Sequence, residues 1–201
     1  MLRFAILGFC LVLSACATLP PAEPVTEPVV RITDTNNELA KVVSTLRTNR
    51  DNLTGIYPLS DSHDSFAARA SLIQAAEHTL DLQYYIWHND ASGQLLARAL
   101  MQAADRGVKV RLLLDDNNTN GLDALMLRLD AHPNIQVRLF NPFVNRKFRF
   151  VGYLTEFKRL NHRMHNKAFI VDQQAAILGG RNIGDEYFGN GDGVMFMDLD
   201  V

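Results

Sequence analysis

Residues 165–172 are His165-Asn166-Lys167-Ala168-Phe169-Ile170-Val171-Asp172, and this stretch decides how the chain folds around its candidate site. Its apolar part, Ala168 to Val171, predicts the interior of a buried strand. Side chains two positions apart share a face in extended backbone, so His165 and Lys167 are expected to point the same way. The stretch therefore predicts an imidazole and an amine side by side at one end of a strand.

A second strand is predicted directly after this stretch. Asp172-Gln173-Gln174 is typical of a hairpin turn, and Ala175-Ala176-Ile177-Leu178 has the apolar composition of a returning strand. Gly179-Gly180 follows, where the backbone can approach a ligand closely. We expect the amide of Asn182 to come back near His165, so that an imidazole, a cation and an amide could converge on one phosphate.

The order His-x-Lys, an Asp five residues after the Lys, and then Gly-Gly-x-Asn resembles the signature of the phospholipase D superfamily. The flanking segments, 161–164 and 179–188, are most similar to the bacterial cardiolipin-synthase branch of that superfamily. A lone His-x-Lys would be a weak signal, because most histidines beside apolar strands are structural residues. Here all four parts of the signature are in register. The resemblance implies an α/β lobe that acts on phosphodiesters.

The resemblance also implies roles for individual side chains. A neutral imidazole suits attack on an anionic phosphodiester, and His165 would be the nucleophile that forms a phospho-histidine intermediate. The histidine of a second, opposing motif would protonate the leaving alkoxide. Lys167 and Asn182 would bind the non-bridging oxygens. No metal or other cofactor is expected, because these donors meet the charge and the sequence lacks a carboxylate and histidine cluster suited to two metals.

Three aspartates complete the predicted site. The family implies an acid that holds the imidazole in its productive tautomer, and Asp198 matches that position best, with Asp200 as its rival. Which of the two orients His165 stays open in the sequence. Asp172 belongs to the signature but is expected to be structural, fixing the turn that positions Lys167.

Strands and helices alternate through the middle of the chain. Periodicity, caps and turns predict helices over Ser65–His78, over Ser92–Arg106 with Ser92 as its cap, and over Leu122–Leu129, and strands over Leu80–Trp87, Val108–Asp115 and Ile135–Phe140. A helix at Asn36–Arg50, an edge strand at Gly55–Leu59 and a strand at Val194–Val201 are also predicted. The alternation predicts the α/β class, here a phospholipase D-like lobe with a mixed, mostly parallel sheet and helices on both faces.

The N-terminus predicts export and membrane attachment. Met1 to Arg3 is a short positive start, and Phe4 to Leu13 is apolar but too short to span a bilayer. Leu13-Ser14-Ala15-Cys16 matches the bacterial lipoprotein box, which makes Cys16 the lipidated mature N-terminus; an ordinary signal peptide cut nearby is the alternative. Ala17 resembles the pattern of lipoproteins sent to the outer membrane. The predicted location is therefore the periplasmic side of a bacterial membrane, the outer membrane in particular.

Three segments follow from these observations. Residues 1–15 are predicted to be a lipoprotein signal peptide, and residues 16–35 a proline-rich, extended tether. Residues 36–201 are predicted to be the first catalytic lobe, truncated at 201, because superfamily members usually have two copies of the motif and this sequence has one. The second histidine would come from another lobe of a longer chain or from a homodimer partner.

The expected function is that of a phospholipase D-type phosphatidyltransferase, similar to cardiolipin synthases, with membrane phospholipids as partners. A phosphodiesterase or nuclease of the same superfamily is one alternative, and an inactive one-lobe fragment is another. The formal net charge of -2 provides no general positive field, so no nucleic-acid partner is expected. The segment from Arg138 to Arg163 is locally basic, and either a solvated loop or a rim for an anionic substrate would explain it.

Mass spectrometry of the mature N-terminus tests the predicted lipidation. We expect an acylated Cys16, because its thiol is the attachment point in the lipoprotein box. Cys16→Ala should release the protein from membranes or block its maturation, whereas Cys10→Ala should leave both unchanged. A water-soluble wild-type product cut at another residue would contradict the prediction.

Overall fold

The structure is a computed structural model that describes residues 37–47, 53–191 and 193–201. The predicted signal peptide and tether, residues 1–35, lie outside the described residues. Two compact units are present: a larger one, whose described residues lie within 37–140 and 163–201, and a smaller one, whose described residues are Asn141–His162. Within the described residues, no helix is both long enough and apolar enough to cross a membrane.

The larger unit alternates strands and helices, as the sequence predicts. Its elements are α1 (Glu38–Leu46), α2 (Ser62–Ala75), β1 (Thr79–Tyr84), α3 (Ala91–Asp105), β2 (Lys109–Asp115), a 3₁₀ turn (Asp116–Asn118), α4 (Asp123–Asp130), β3 (Ile135–Phe140), β4 (Ala168–Val171), β5 (Ala175–Leu178) and α7 (Asp185–Phe188). Strand β3 and the hairpin of β4 and β5 have the predicted bounds.

The five strands form one sheet in the order β3-β2-β1-β4-β5. Strands β1, β2 and β3 pair in parallel, with Leu82 opposite Leu112 and Leu112 opposite Val137. Strand β4 is antiparallel to both of its neighbours, β1 and β5. Four of the five strands therefore run in the same direction, and the predicted α/β class with a mixed, mostly parallel sheet is confirmed.

On one face of this sheet, the alternate side chains of the central strands are buried. Leu82 and Leu112 are buried there, and they belong to one apolar cluster with residues of α2, α3, α4 and α7, such as Leu100 of α3. On the opposite face, Arg111 donates to Asp81 from Nη2 at 2.7 Å. In the described part of this unit the helices pack on the buried face, whereas the sequence predicts helices on both.

Helix α3 is capped by Asp90 and not by the predicted Ser92. The carboxylate of Asp90 accepts the N–H of Gly93 at 2.9 Å, which places Ser92 inside the first turn. The other oxygen of this carboxylate, Oδ2, accepts the backbone N–H of Asp185 at 2.7 Å. At the far end, Gly107 follows the helix with a positive φ of 100°, a conformation that glycine adopts readily where a helix ends.

Helix α2 begins at Ser62, three residues earlier than predicted, and buries a polar side that the sequence spacing does not predict. The apolar side chain of Ile73 is buried, and Ser65 and Arg69 are buried with it. Arg69 lies inside because its Nη2 atom is 3.0 Å from Oδ2 of Asp200. A buried guanidinium requires such a partner, since an unpaired buried charge is costly.

Two predicted strands are wrong. In Gly55–Leu59 only Leu59 pairs, through an isolated bridge to Asp200, and Pro58 beside it has no N–H to extend a ladder. Within Val194–Val201, Asp200 bridges Leu59 and Gly179 without forming a regular strand. The N–H of Phe196 donates instead to the carbonyl of Glu186 at 3.0 Å. The backbone of residues 194–201 is therefore hydrogen-bonded partly to α7 and partly to the edge of the sheet next to β5.

The buried carboxylate of Asp172 joins separate parts of the larger unit. It accepts the backbone N–H groups of Glu77, His78 and Thr79 at 2.9, 2.8 and 2.7 Å, and the side-chain amide of Asn37 at 3.5 Å. The residue itself has φ at 49°, at the start of the turn between β4 and β5. These contacts tie the hairpin to the segment that leads into β1.

The smaller unit contains two short helices, α5 (Arg149–Thr155) and α6 (Phe157–Leu160). The ring of Tyr153 meets the ring of Phe143 edge to face, with the centroids 5.4 Å apart. Phe143 and Leu160 are both buried. The centre of the basic segment is therefore folded around a small apolar core of its own.

Asp172→Asn should destabilise the larger unit strongly. The amide side chain has one acceptor oxygen and turns an NH₂ group towards backbone donors, so two or three charge-assisted hydrogen bonds are lost. We expect urea denaturation to show a loss of roughly 3 kcal/mol in the free energy of unfolding. Asp64→Asn, at an exposed position in the first turn of α2, is the control and should change it by less than about 1 kcal/mol. Equal stability of the two variants would contradict this account.

Candidate active site

The two basic residues of the signature lie next to each other at the entrance of β4. Nζ of Lys167 is 3.0 Å from Nδ1 and 3.3 Å from Nε2 of His165, and it donates to the carbonyl oxygen of His165 at 3.1 Å. The predicted strand starts only at Ala168, so both residues precede it. The amine of Lys167 therefore lies beside the imidazole ring, within reach of both of its nitrogens.

An aromatic ring supports the imidazole. The ring centroids of Tyr85 and His165 are 4.7 Å apart at an interplanar angle of 53°, and Nζ of Lys167 lies 5.8 Å from the centroid of Tyr85. The side chain of Asn166 makes a different contact: its Nδ2 donates to Oε1 of Gln83 at 3.1 Å. His165 remains exposed to solvent, so a substrate can reach its ring.

Lys167 is influenced by its burial and by one acid. Partial burial lowers the pKa of Lys167 below its ordinary value, and the carboxylate of Asp198 acts in the opposite direction. Asp198 lies against the backbone of Gly180, which has no side chain. A Cβ at this position would come within 1.8 Å of Oδ1 of Asp198. The second glycine of the signature therefore makes room for an acid beside the motif.

The rival acid, Asp200, is part of a buried cluster of ion pairs. Its Oδ2 accepts from Ser65 Oγ at 2.6 Å and from Arg69 Nη2 at 3.0 Å, and lies 3.5 Å from Nη1 of Arg181. Asp200 is fully buried, whereas Asp198 is exposed. Of the two predicted acids, Asp198 is therefore the one with an electrostatic effect on the signature. No direct contact between Asp198 and His165 is seen among the described residues, so its orienting role stays a prediction.

Asn182 is buried, and both ends of its amide are bonded to the protein. Oδ1 accepts the N–H of Ile86 at 3.0 Å, and Nδ2 donates to Oη of Tyr187 at 3.1 Å. Burial raises the pKa of Tyr187, while the hydrogen bond from Asn182 lowers it. Ile86 follows Tyr85, so Asn182 fixes the backbone that presents the ring under His165. One hydrogen of Nδ2 is left for the predicted contact with phosphate, a contact that stays a prediction.

Several of these residues were missed by sequence reasoning. Tyr85 could have been identified from strand alternation, because its neighbour Tyr84 is buried in the core and the next side chain must face the other way. Arg69 and Arg181 have no comparable signal, since each is recognised only by its pairing with Asp200. Arg181 also donates to the carbonyl of Leu59 at 2.8 Å and thereby holds the Gly-Gly-Arg-Asn segment in place.

One group among the described residues has the donor types of a metal site. Nδ1 of His88 lies 3.1 Å from Oε1 of Glu186 and 3.9 Å from Oδ2 of Asp90, and the donor atoms all lie within 4.8 Å of one another. Both oxygens of Asp90 already accept backbone N–H groups. A nitrogen and two carboxylates could hold a divalent cation here.

A family model described as "Cardiolipin synthase, PLD-like domain" matches residues 70–197, which is more than half of the chain. Cardiolipin synthase C of Escherichia coli (strain K12) is 58% identical over 163 residues, which cover 81% of this chain and 34% of that protein. Cardiolipin synthase 1 of Bacillus cereus is 34% identical over 131 residues, covering 65% and 24%. The chain thus spans about a third or less of the length of these curated relatives.

Solved structures agree on the fold. Phosphatidylserine synthase of Haemophilus influenzae Rd KW20 superposes with a TM-score of 0.55 at 15% identity, covering 79% of this chain and 37% of that one. NucT of Helicobacter pylori superposes with a TM-score of 0.50 at 20% identity, covering 69% and 76%. These likenesses concern the fold alone, and the family model over residues 70–197 shows that the chain belongs to the cardiolipin synthase family of phospholipase D-like domains.

Proposed function

We propose that this chain is the first catalytic lobe of a phospholipase D-type phosphatidyltransferase, which transfers a phosphatidyl group between phospholipid head groups. The observation that supports this most directly is the exposed imidazole of His165 with Nζ of Lys167 at 3.0 Å from its Nδ1. A nucleophile and a cation in contact suit an anionic phosphodiester. The curated relatives named as cardiolipin synthases favour a phospholipid over other phosphodiesters.

In the proposed reaction a nitrogen of His165 attacks the phosphorus of the donor lipid. The N–P bond forms as the bond to the leaving glycerol oxygen breaks, and a proton from the histidine of a second motif neutralises the alkoxide. The acceptor alcohol then gives its proton back to that histidine and attacks the phospho-histidine. His165 leaves unchanged, and the phosphatidyl group ends on the acceptor.

Lys167 has two acceptors in this scheme. Without substrate its amine lies beside the ring of His165 and donates to the carbonyl oxygen of that residue. With substrate it is proposed to donate to a non-bridging oxygen of the phosphate, which uncovers the imidazole. The remaining hydrogen on Nδ2 of Asn182 is proposed to bind the same phosphate. Asp198 is proposed to orient His165 once the substrate has displaced Lys167 from the ring.

The proposal needs a second histidine and a membrane. This chain contains one His-x-Lys signature, so the proton donor is proposed to come from a second lobe of a longer protein or from a homodimer partner. The proposed location is the periplasmic side of a bacterial outer membrane, with attachment through a lipid on Cys16. That location is suggested by the lipoprotein box and by the need to reach phospholipids.

His165→Asn should abolish turnover in any active assembly. Asparagine keeps polarity and approximate size but cannot form the phospho-enzyme, so transfer should fall by at least about 10³-fold while lipid binding is largely kept. The measurement is incorporation of ³²P from labelled phosphatidylglycerol into protein after an alkaline quench, which preserves the N–P bond, with cardiolipin formation assayed in parallel. His63→Asn, at an exposed position, is the control and should leave both unchanged. Undiminished covalent label in His165→Asn would assign the nucleophile to the other motif, and cleavage of single-stranded DNA without lipid transfer would overturn the proposal.

The dependence of activity on protein concentration tests whether two copies complete the site. One copy supplies one signature histidine, so a monomer lacks the second one, which would protonate the leaving group. If two copies face each other, activity should rise with roughly the square of concentration while the dimer is a minor species. The assay is a dilution series with phosphatidylglycerol and phosphatidylethanolamine, with the oligomeric state measured by sedimentation. Cardiolipin formation that is linear in protein where only monomer is present would contradict the requirement for a second motif.

A further inference from the structure

The smaller unit exposes a row of apolar side chains on the outside of its helices. The exposed fractions are 72% for Phe150, 48% for Val151, 70% for Leu154 and 61% for Phe157. The first three occupy positions i, i+1 and i+4 of α5, which share one side of a helix, and Phe157 begins α6 one turn later. We call these four residues the apolar row.

The apolar row is not needed for the packing of the unit in which it lies. Phe143, Tyr153 and Leu160 form the inner contacts, and Gly152 leaves the space that they use. A Cβ on Gly152 would come within 2.9 Å of Cδ1 of Leu160 and 3.2 Å of Cδ1 of Phe143. The inner side of α5 is therefore closely filled, and the three members of the apolar row on α5 are left on its outer side.

Cations accompany the apolar row. Residues 141–162 contain five lysines and arginines and one acid, Glu156, although the whole chain has a formal charge of -2. The acid is already paired, with its Oε2 2.6 Å from Nε of Arg159. Lys147 and Lys158 are exposed and lie close to the row in sequence, and Nζ of Lys147 lies 5.8 Å from the ring centroid of the neighbouring Phe148. Apolar and aromatic groups next to lysines are typical of surfaces that bind anionic membranes.

We propose that the apolar row, with Lys147 and Lys158, docks onto the surface of an anionic phospholipid bilayer. The aliphatic members favour lipid over nucleic acid, because Val151 and Leu154 have no π-face on which a base could stack. The row would lie among the acyl chains next to the head groups, and the lysines would lie at the level of the phosphates. The inference rests on the proposed function for its purpose, since the substrate of that reaction is itself a component of the bilayer.

Tryptophan reporters test the docking in the full chain. Leu154→Trp places an indole in the apolar row, and Leu127→Trp places one on α4 at a matched exposure of 71%. The native Trp87 is buried and gives a constant background. In vesicles of phosphatidylcholine and phosphatidylglycerol that contain brominated acyl chains, we expect Leu154→Trp to lose at least about half of its added fluorescence and Leu127→Trp to lose none. Because the quenching depends on the depth of each indole, it reports on this surface whether or not residues 1–35 also bind the membrane.

Charge variants and lipid composition complete the test. Lys147→Gln and Lys158→Gln, made in the Leu154→Trp chain, should each weaken vesicle binding about fivefold, and Arg98→Gln on α3 should change it less than twofold. Equal quenching at positions 154 and 127, no quenching at 154, or equal quenching in pure phosphatidylcholine would overturn the proposal. A concentration-dependent change in the fluorescence of the Leu154→Trp chain without lipid would assign the surface to a second copy of the chain and overturn it as well. The inactive His165→Asn chain should dock like the wild type, so docking and catalysis can fail independently.

Discussion

The buried carboxylate of Asp172 is the contact on which the geometry of the motif depends. It satisfies the N–H groups of Glu77, His78 and Thr79 just where the chain enters β1, and it does so from the turn that ends β4. A fully buried charge is tolerated only with such a set of donors. Because the contact pins the start of β1 to the end of β4, it sets the antiparallel register of these two strands, with Leu80 opposite Val171. A slip of one residue would turn every side chain of β4 to the other face.

That register brings the catalytic candidates together at the opposite end of the same strand pair. Gln83 pairs with Ala168, and continuing the ladder by two residues brings Tyr85 level with Asn166, beside His165. The Tyr85 ring then lies under the imidazole. A second buried cluster, Asp200 with Arg69 and Arg181, fixes the Gly-Gly-Arg-Asn segment from the other side. Such a cluster adds little net stability but permits only one arrangement, and removing one partner typically costs about 3 to 5 kcal/mol.

Sequence patterns predict what depends on local periodicity and miss what depends on distant partners. Strand β3 and the hairpin are predicted with their observed bounds, because in each case turn residues mark both ends of a short apolar run. Arg69 is missed because its partner lies 131 residues away. Ser92 and Asp90 are both good caps, and the choice of Asp90 follows from its additional contact with the N–H of Asp185. The terminal strand fails for a similar reason, because Phe196 bonds to Glu186 and not to the sheet.

The site shows the same division between what the local pattern predicts and what distant contacts decide. Spacing alone predicts that His165 and Lys167 are neighbours, and their contact is observed although neither lies within β4. Spacing does not predict that Asn182 bonds to Ile86 and Tyr187, which makes it a support for the Tyr85 backbone as well as a candidate donor. The contact between ammonium and imidazole has a chemical consequence under the proposed mechanism. A lysine beside the ring of the nucleophile would cover it until a phosphate offers an anionic acceptor. Substrate binding and activation of the nucleophile would then be one event, because the oxygen that attracts Lys167 is attached to the phosphorus that His165 attacks.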